Sequence, residues 1–206
     1  LQEALDLLMN GTAEPDLTLN LSEDFFDTEL ISTEWILAFA QALKSGKCPQ
    51  GLALNLAWNN IDDEGVQHLA DALESGGCPE GLTLGLGCNY IGYDDNFEVI
   101  RALAEALESD KCPGGLTLDL KDNYIGDEGA LAFAQALKSG NCKSGLTLMF
   151  GDNHIKDTGA MALAQALKSG GCPEGLTLEL GYFDGYNMSP KVIQAFADAL
   201  ASGKCP

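Results

Sequence analysis

The residues of this chain best suited to covalent or metal chemistry are seven cysteines, two histidines and a spread of carboxylates. Six of the cysteines share one recurring position: Cys48, Cys78, Cys112, Cys142, Cys172 and Cys205. One thiol per recurrence gives neither the C-x-x-C pairs of a zinc site nor a paired disulfide framework. The expectation is a ladder of small buried thiols, which points to a cytoplasmic or other reducing compartment. Cys88 stands outside the series. It is a candidate reactive thiol, although no sequence neighbour is suited to lowering its pKa. His68 and His154 lie far apart, so a Ser-His-Asp or Cys-His site has little support. Asp119, Asp122 and Asp152 carry oxygen ligands that suit calcium, yet no segment has EF-hand spacing. No Walker loop, G-x-G-x-x-G or H-E-x-x-H motif is present. No catalytic residue, metal site or cofactor is expected.

What positions these residues is a repeat. The stretch 115–144, GLTLDLKDNYIGDEGALAFAQALKSGNCKS, is followed at 145–174 by GLTLMFGDNHIKDTGAMALAQALKSGGCPE. Earlier copies occupy 51–80 and 81–114, and degenerate copies flank the set at 15–50 and 175–206. Residues 1–14 precede them. A period near thirty residues indicates a solenoid whose units share one continuous core. The chain opens on Leu1 and stops within the recurring SGKCP phrase, so a piece of a longer protein is expected.

Each unit reads as strand, turn and helix. In Leu116-Thr117-Leu118-Asp119-Leu120 the apolar residues alternate, so the leucines face one side and Thr117 and Asp119 the other. A turn through Asn123, Ile125 and Gly126 leads to Asp127, the expected N-cap of the helix EGALAFAQALK. Ala132, Phe133, Ala136 and Leu137 form its inward stripe, and the alanines let neighbouring helices stack closely. Gly140 is the expected C-terminal stop. Asp95 with Glu98 reads as a capping box, and Ser189-Pro190 as a cap followed by an N1 proline. The opening LQEALDLLMN reads as a helix that covers the first repeat through Leu1, Leu5 and Leu8.

The phrase L-x-L-x-L-x-x-N-x-I followed by a helix resembles leucine-rich repeats, and the helical segment and unit length resemble the ribonuclease-inhibitor-type subclass. Gly115 departs from the family pattern, which has a leucine there. The near-identical ALKSGxCPxGLTL units are similar to repeats of secreted bacterial effector proteins. The resemblance implies an α/β solenoid, a right-handed βα horseshoe of about six repeats. Its parallel sheet would be concave, its helices convex, and its role non-catalytic protein binding, in host cytoplasm if an effector. It also implies that Asn59, Asn89, Asn123 and Asn153 bond backbone groups at the bend, where buried donors and acceptors need partners. That series breaks at Asp24 and Phe183, as terminal repeats do.

Outward positions fall in columns. The mid-strand column is Asn20, Asn55, Gly85, Asp119, Met149 and Glu179. The next is Ser22, Ala57, Gly87, Lys121, Gly151 and Gly181, and the third is Glu23, Trp58, Cys88, Asp122, Asp152 and Tyr182. The inward leucines repeat while these positions vary. Six strands span roughly 25–30 Å, comparable with a binding patch of about 800 Å² per partner. Trp58 and Tyr182 are the candidate anchors, because aromatics are enriched at hot spots. Asp119, Asp122, Asp152 and Glu179 surround them. Tyr90, Tyr124 and His154 extend the patch along the loop edge. A solvated acidic face with incidental aromatics is the alternative.

The 206 residues carry 11 Lys and Arg against 31 Asp and Glu, a net charge of −20. Nucleic acid is a poor partner for such a surface, and a protein with a basic or mixed surface is a better one. No apolar run is long enough to span a bilayer, and a monomer is expected. Residues 1–34 hold nine acids and no Lys or Arg, which would steer a basic partner toward that end. Three rivals remain: the binding domain of a larger enzyme such as a ubiquitin ligase, a GTPase-activating protein, and a structural spacer. The second has only Arg101, on a helix, to stabilise a transferring phosphate.

Overall fold

The computed structural model describes residues 1–22, 31–94, 96–181 and 188–205. Six short strands are found among them: β1 (Thr18–Asn20), β2 (Ala53–Asn55), β3 (Thr83–Gly85), β4 (Thr117–Asp119), β5 (Thr147–Met149) and β6 (Thr177–Glu179). They form one parallel sheet in chain order. Seven helices accompany them: α1 (Gln2–Asn10), α2 (Thr33–Lys44), α3 (Asp63–Leu73), α4 (Glu98–Ala106), α5 (Gly126–Ser139), α6 (Asp157–Ser169) and α7 (Pro190–Ala201). Each helix from α2 onward packs on the next, and α1 packs on α2. The architecture is the α/β leucine-rich-repeat solenoid that the sequence implies.

The period-two pattern decides which face of the sheet is covered. Leu54, Leu84, Leu118 and Leu148 are fully buried, as are Leu56, Leu86 and Leu120. Burial of a leucine stabilises by about 1.5–3 kcal/mol, so a single-residue slip, which would turn this set to solvent, is strongly disfavoured. Phe150 replaces a leucine in repeat 5, and its ring meets Phe133 of α5 at 4.9 Å between centroids. Leu19 and Leu178, on the two edge strands, are only half-buried. A terminal unit has a neighbour on one side alone.

The bend after each strand is held by the asparagines. Asn89 Nδ2 donates to the carbonyls of Leu56, Leu86 and Gly87 at 3.0, 3.0 and 3.2 Å. Its Oδ1 accepts from the Asn59 and Ile61 backbone N–H groups of the preceding repeat, both at 3.0 Å. Asn123 repeats the pattern toward Asn89 and Ile91. All four asparagines are buried. Among the described residues no buried side-chain N or O lacks a hydrogen bond. Asp24 and Phe183 lie outside the described residues.

Several local expectations change. Asp127 does not cap its own helix: α5 begins at Gly126, after Ile125. Instead Asp127 Oδ1 accepts from Lys156 N and Gly159 N, both at 2.8 Å, and so caps α6 of the next repeat. Lateral stacking brings the two helix starts together, and the carboxylate serves the neighbour's free N–H groups. Glu98 is the first residue of α4, with Phe97 before it; Asp95, the other member of the expected capping box, lies outside the described residues. Ser189 does cap α7, with Pro190 at N1. Gly140 closes α5 at φ +78°, the left-handed conformation expected of it. Of the N-terminal leucines, Leu8 is buried and Leu5 half-buried, but Leu1 is exposed.

Candidate protein-binding face

The thiols prove to be helix-end fixtures. Cys48, Cys78, Cys142, Cys172 and Cys205 each direct Sγ to the carbonyl six residues back, at 3.2–3.4 Å. Cys112 and Cys142 are buried, whereas the other four of the series are half-buried, less covered than a fully buried ladder. Burial pushes Cys78 and Cys112 up to about 12, and Cys48 and Cys142 up to about 11. The seven thiols are free, and these four are protonated near neutral pH.

On the uncovered face of the sheet, Asn20, Asn55, Gly85, Asp119, Met149 and Glu179 stand opposite one another in register. Asn55 Nδ2 donates to Asn20 Oδ1 at 2.8 Å, and its Oδ1 accepts from Ala57 N at 3.1 Å. A Cβ on Gly85 would stand 2.9 Å from that Oδ1, so the glycine leaves the amide its place. Asp119 Oδ1 accepts from Lys121 N at 3.1 Å. Lys121 Nζ reaches Glu179 Oε1 at 2.9 Å, with its stem beside Gly151. The hydrogen bond to Glu179, with Asp119 and Asp122 near, raises the lysine's pKa and answers its charge. Beside this row runs Thr18, Ala53, Thr83, Thr117, Thr147 and Thr177, also outward. These threonines were not among the expected contact residues, though the strand alternation that places Asp119 outward places Thr117 there too.

The row beyond the strands holds Trp58, Cys88, Asp122 and Asp152, all in the left-handed region at φ +53° to +63°. Their amides continue the ladder: Trp58 N donates to Gly87 O, Cys88 N to Lys121 O and Asp122 N to Gly151 O, at 2.8–3.0 Å. Aspartate tolerates this conformation, whereas Trp58 and Cys88 hold it at a cost in strain. Trp58 is 43% exposed. Burial, then Asp122, pushes the Cys88 thiol up to about 12. A thiol held protonated is a poor nucleophile, which weighs against a reactive Cys88. Tyr182, the second expected anchor, lies outside the described residues.

On the loop edge, Tyr90, Tyr124 and His154 form a run of rings. Tyr90 and Tyr124 lie 6.2 Å apart with planes 20° from parallel, and Tyr124 and His154 lie 5.2 Å apart at 28°. Tyr93 stands edge-on to both tyrosines, at 6.2 and 5.0 Å. It was missed at the sequence level, because it lies in the insertion of repeat 3. The turn bond from Tyr93 N to Tyr90 O, 2.9 Å, brings it to the ridge. Shallow clefts lie around the rings. One of about 730 Å³ is bounded by Asp62, Asp94, Tyr90 and Tyr93, and one of about 310 Å³ by Trp58, Asp122, Asp152 and Tyr124.

The remaining candidates are elsewhere. His68, half-buried on α3, lies 3.7 Å from Glu64. Arg101 is exposed on α4, on the helical side. Among the described residues no three His, Cys, Asp or Glu side chains gather as a metal site, and no helix is long and apolar enough to cross a membrane.

Three segments, residues 52–70, 116–134 and 146–164, match the family described as Leucine Rich repeat. Each runs from a strand into the following helix. A search of curated protein sequences returns no match. Among solved structures, the tropomodulin C-terminal domain of Caenorhabditis elegans is similar over 84% of this chain and 93% of its own, with 13% identity and a TM-score of 0.54. A leiomodin-1 structure described as Actin-Binding Site 2 covers 97% of this chain and 87% of its own, with 19% identity and a TM-score of 0.47. The tropomodulin likeness shows a shared fold.

Proposed function

We propose that this leucine-rich-repeat solenoid is a non-catalytic protein-binding module whose contact surface is the uncovered face of the sheet with its adjoining loop edge. One observation carries the reading. The six strands are in register, and the inward column is leucine throughout while the opposed outward column runs Asn, Asn, Gly, Asp, Met, Glu. Packing fixes the first column, so the second is open to be shaped by a partner. The backbone ladder, with its asparagines satisfied, gives a preformed surface that needs little rearrangement to bind.

The acidity of the chain supports a partner with a basic or mixed surface. Protonated thiols in place of disulfides support action in a reducing compartment, cytoplasmic in the simplest case. The likeness of the ALKSGxCPxGLTL units to effector repeats supports a secreted bacterial protein acting on host proteins. Some bacterial leucine-rich-repeat effectors carry a ubiquitin-ligase domain beside their repeats, which keeps a binding role within a larger enzyme as the second reading.

Charge reversal on opposite faces tests the proposal. Asp119→Lys with Glu179→Lys changes the uncovered face, and Glu105→Lys with Asp198→Lys changes exposed helix positions by the same charge. Proteins captured from host-cell lysate are to be lost with the first pair and kept with the second. Equal capture by both variants would refute the assignment of the face.

A further inference from the structure

The four-ring ridge on the loop edge has a chemistry of its own. Tyr90 and Tyr93 are 55% and 63% exposed, large aromatic areas for a protein to leave in water. Tyr124 and His154 continue the row through near-parallel rings. The three clefts around the ridge are lined by eight carboxylates, among them Asp94, Asp122 and Asp152, and by one amine, Lys156. Several of these acids are spoken for: Asp62 caps α3, Asp127 caps α6 and Glu64 faces His68. Asp94 and Asp152 make no hydrogen bond or ion pair among the described residues, and both are exposed beside the rings.

We infer that this ridge receives arginine side chains of the partner, stacked on the tyrosine faces with their guanidinium groups directed to Asp94 and Asp152. Three observations point the same way. Aromatic faces attract cations, and the planar guanidinium stacks on a ring as a lysine ammonium does not. A carboxylate beside the ring accepts the in-plane N–H groups of the same guanidinium. The step between the Tyr90 and Tyr124 rings is 6.2 Å, near the roughly 6.6 Å that separates alternate residues of an extended chain. The occupant is therefore an extended segment with arginines at alternate positions. This rests on the protein-binding reading above and names the chemistry of the partner at that edge.

The test uses two synthetic peptides of equal length and charge, one alternating arginine with glycine and one alternating lysine with glycine. Each is titrated against the intact chain at low salt, with binding read by calorimetry. The arginine peptide is expected to bind about tenfold tighter, the scale of one or two cation–π contacts. Tyr90→Asn with Tyr93→Ser and Tyr124→Asn removes three rings. Asn60 already holds the Tyr90 position of repeat 2 at φ +52°, so asparagine suits that backbone. This variant is expected to bind both peptides alike. Asp94→Asn with Asp152→Asn, at exposed sites that do not support the fold, is expected to weaken both peptides and keep a preference for arginine. Equal affinity of the two peptides for the unaltered chain, or an arginine preference that survives loss of the rings, would overturn the inference. Either result leaves the face-reversal capture test untouched, because that test alters Asp119, Glu179 and helix positions away from the ridge, and counts whole proteins.

Discussion

Ser139 and Cys142 converge on one acceptor: Ser139 Oγ and Cys142 Sγ both donate to the Ala136 carbonyl, at 2.7 and 3.3 Å. The pair recurs as Ser45 with Cys48, Ser75 with Cys78, Ser169 with Cys172 and Ser202 with Cys205. The last carbonyls of a helix lack intrahelical donors. The S-x-x-C phrase supplies two, and the thiol must keep its proton to serve as one.

Stability should therefore fall in alkali. The Cys78 and Cys112 thiols ionise at about 12 in the folded chain, against 9.0 for an unperturbed thiol. Between those values the folded state holds protons that the unfolded state has released. The contribution is complete below pH 9 and is lost as pH rises toward 12. Urea midpoints are expected to drop between pH 8 and pH 10.5, and to drop less in the Cys78→Ala, Cys112→Ala variant. Equal slopes would mean that the thiols are not the cause.

Asn123→Ala should destabilise by about 3 kcal/mol or more, since it orphans buried backbone groups in two repeats. The groups are the Asn89 and Ile91 N–H donors and the Leu86 and Leu120 carbonyls. Urea unfolding measures the loss. A cost below about 1 kcal/mol, that of a single exposed bond, would contradict the shared interior.

Asp127→Ala should loosen the helix after its own. Hydrogen exchange at the Lys156 and Gly159 amides is expected to quicken while the start of α5 is unchanged, with a cost of about 1 kcal/mol. Faster exchange confined to α5 would restore the capping role expected from local sequence.

The Lys121–Glu179 pair should matter little to stability. Both side chains are about a third or more exposed, at 32% and 44%, and such pairs contribute about 0–1 kcal/mol. Lys121→Met is expected to shift the urea midpoint within that range. A cost above about 2 kcal/mol would mark the pair as part of the fold's support.

The sheet was legible because two regularities coincide. Alternation in Leu116 to Leu120 assigns the faces, and the repeat length sets the register, so Asn55, Asp119 and Glu179 fall in one column as expected. What escaped depends on lateral contacts. Asp127 finds its donors across the stack at Gly159, which local spacing does not reveal. Tyr93 joins the ridge only through the turn of the repeat 3 insertion. The sharing of Ala136 by Ser139 and Cys142 needs the geometry of a closed helix end.

The central claim is that the uncovered strand face meets the partner. A photo-cross-linking side chain placed at Asn55 or Asp119 on that face, or at exposed Glu105 on α4, reads it directly in cell lysate. Discrete protein adducts are predicted from positions 55 and 119, and none of the same species from position 105. The same adducts formed as well from position 105, or from it alone, would contradict the account.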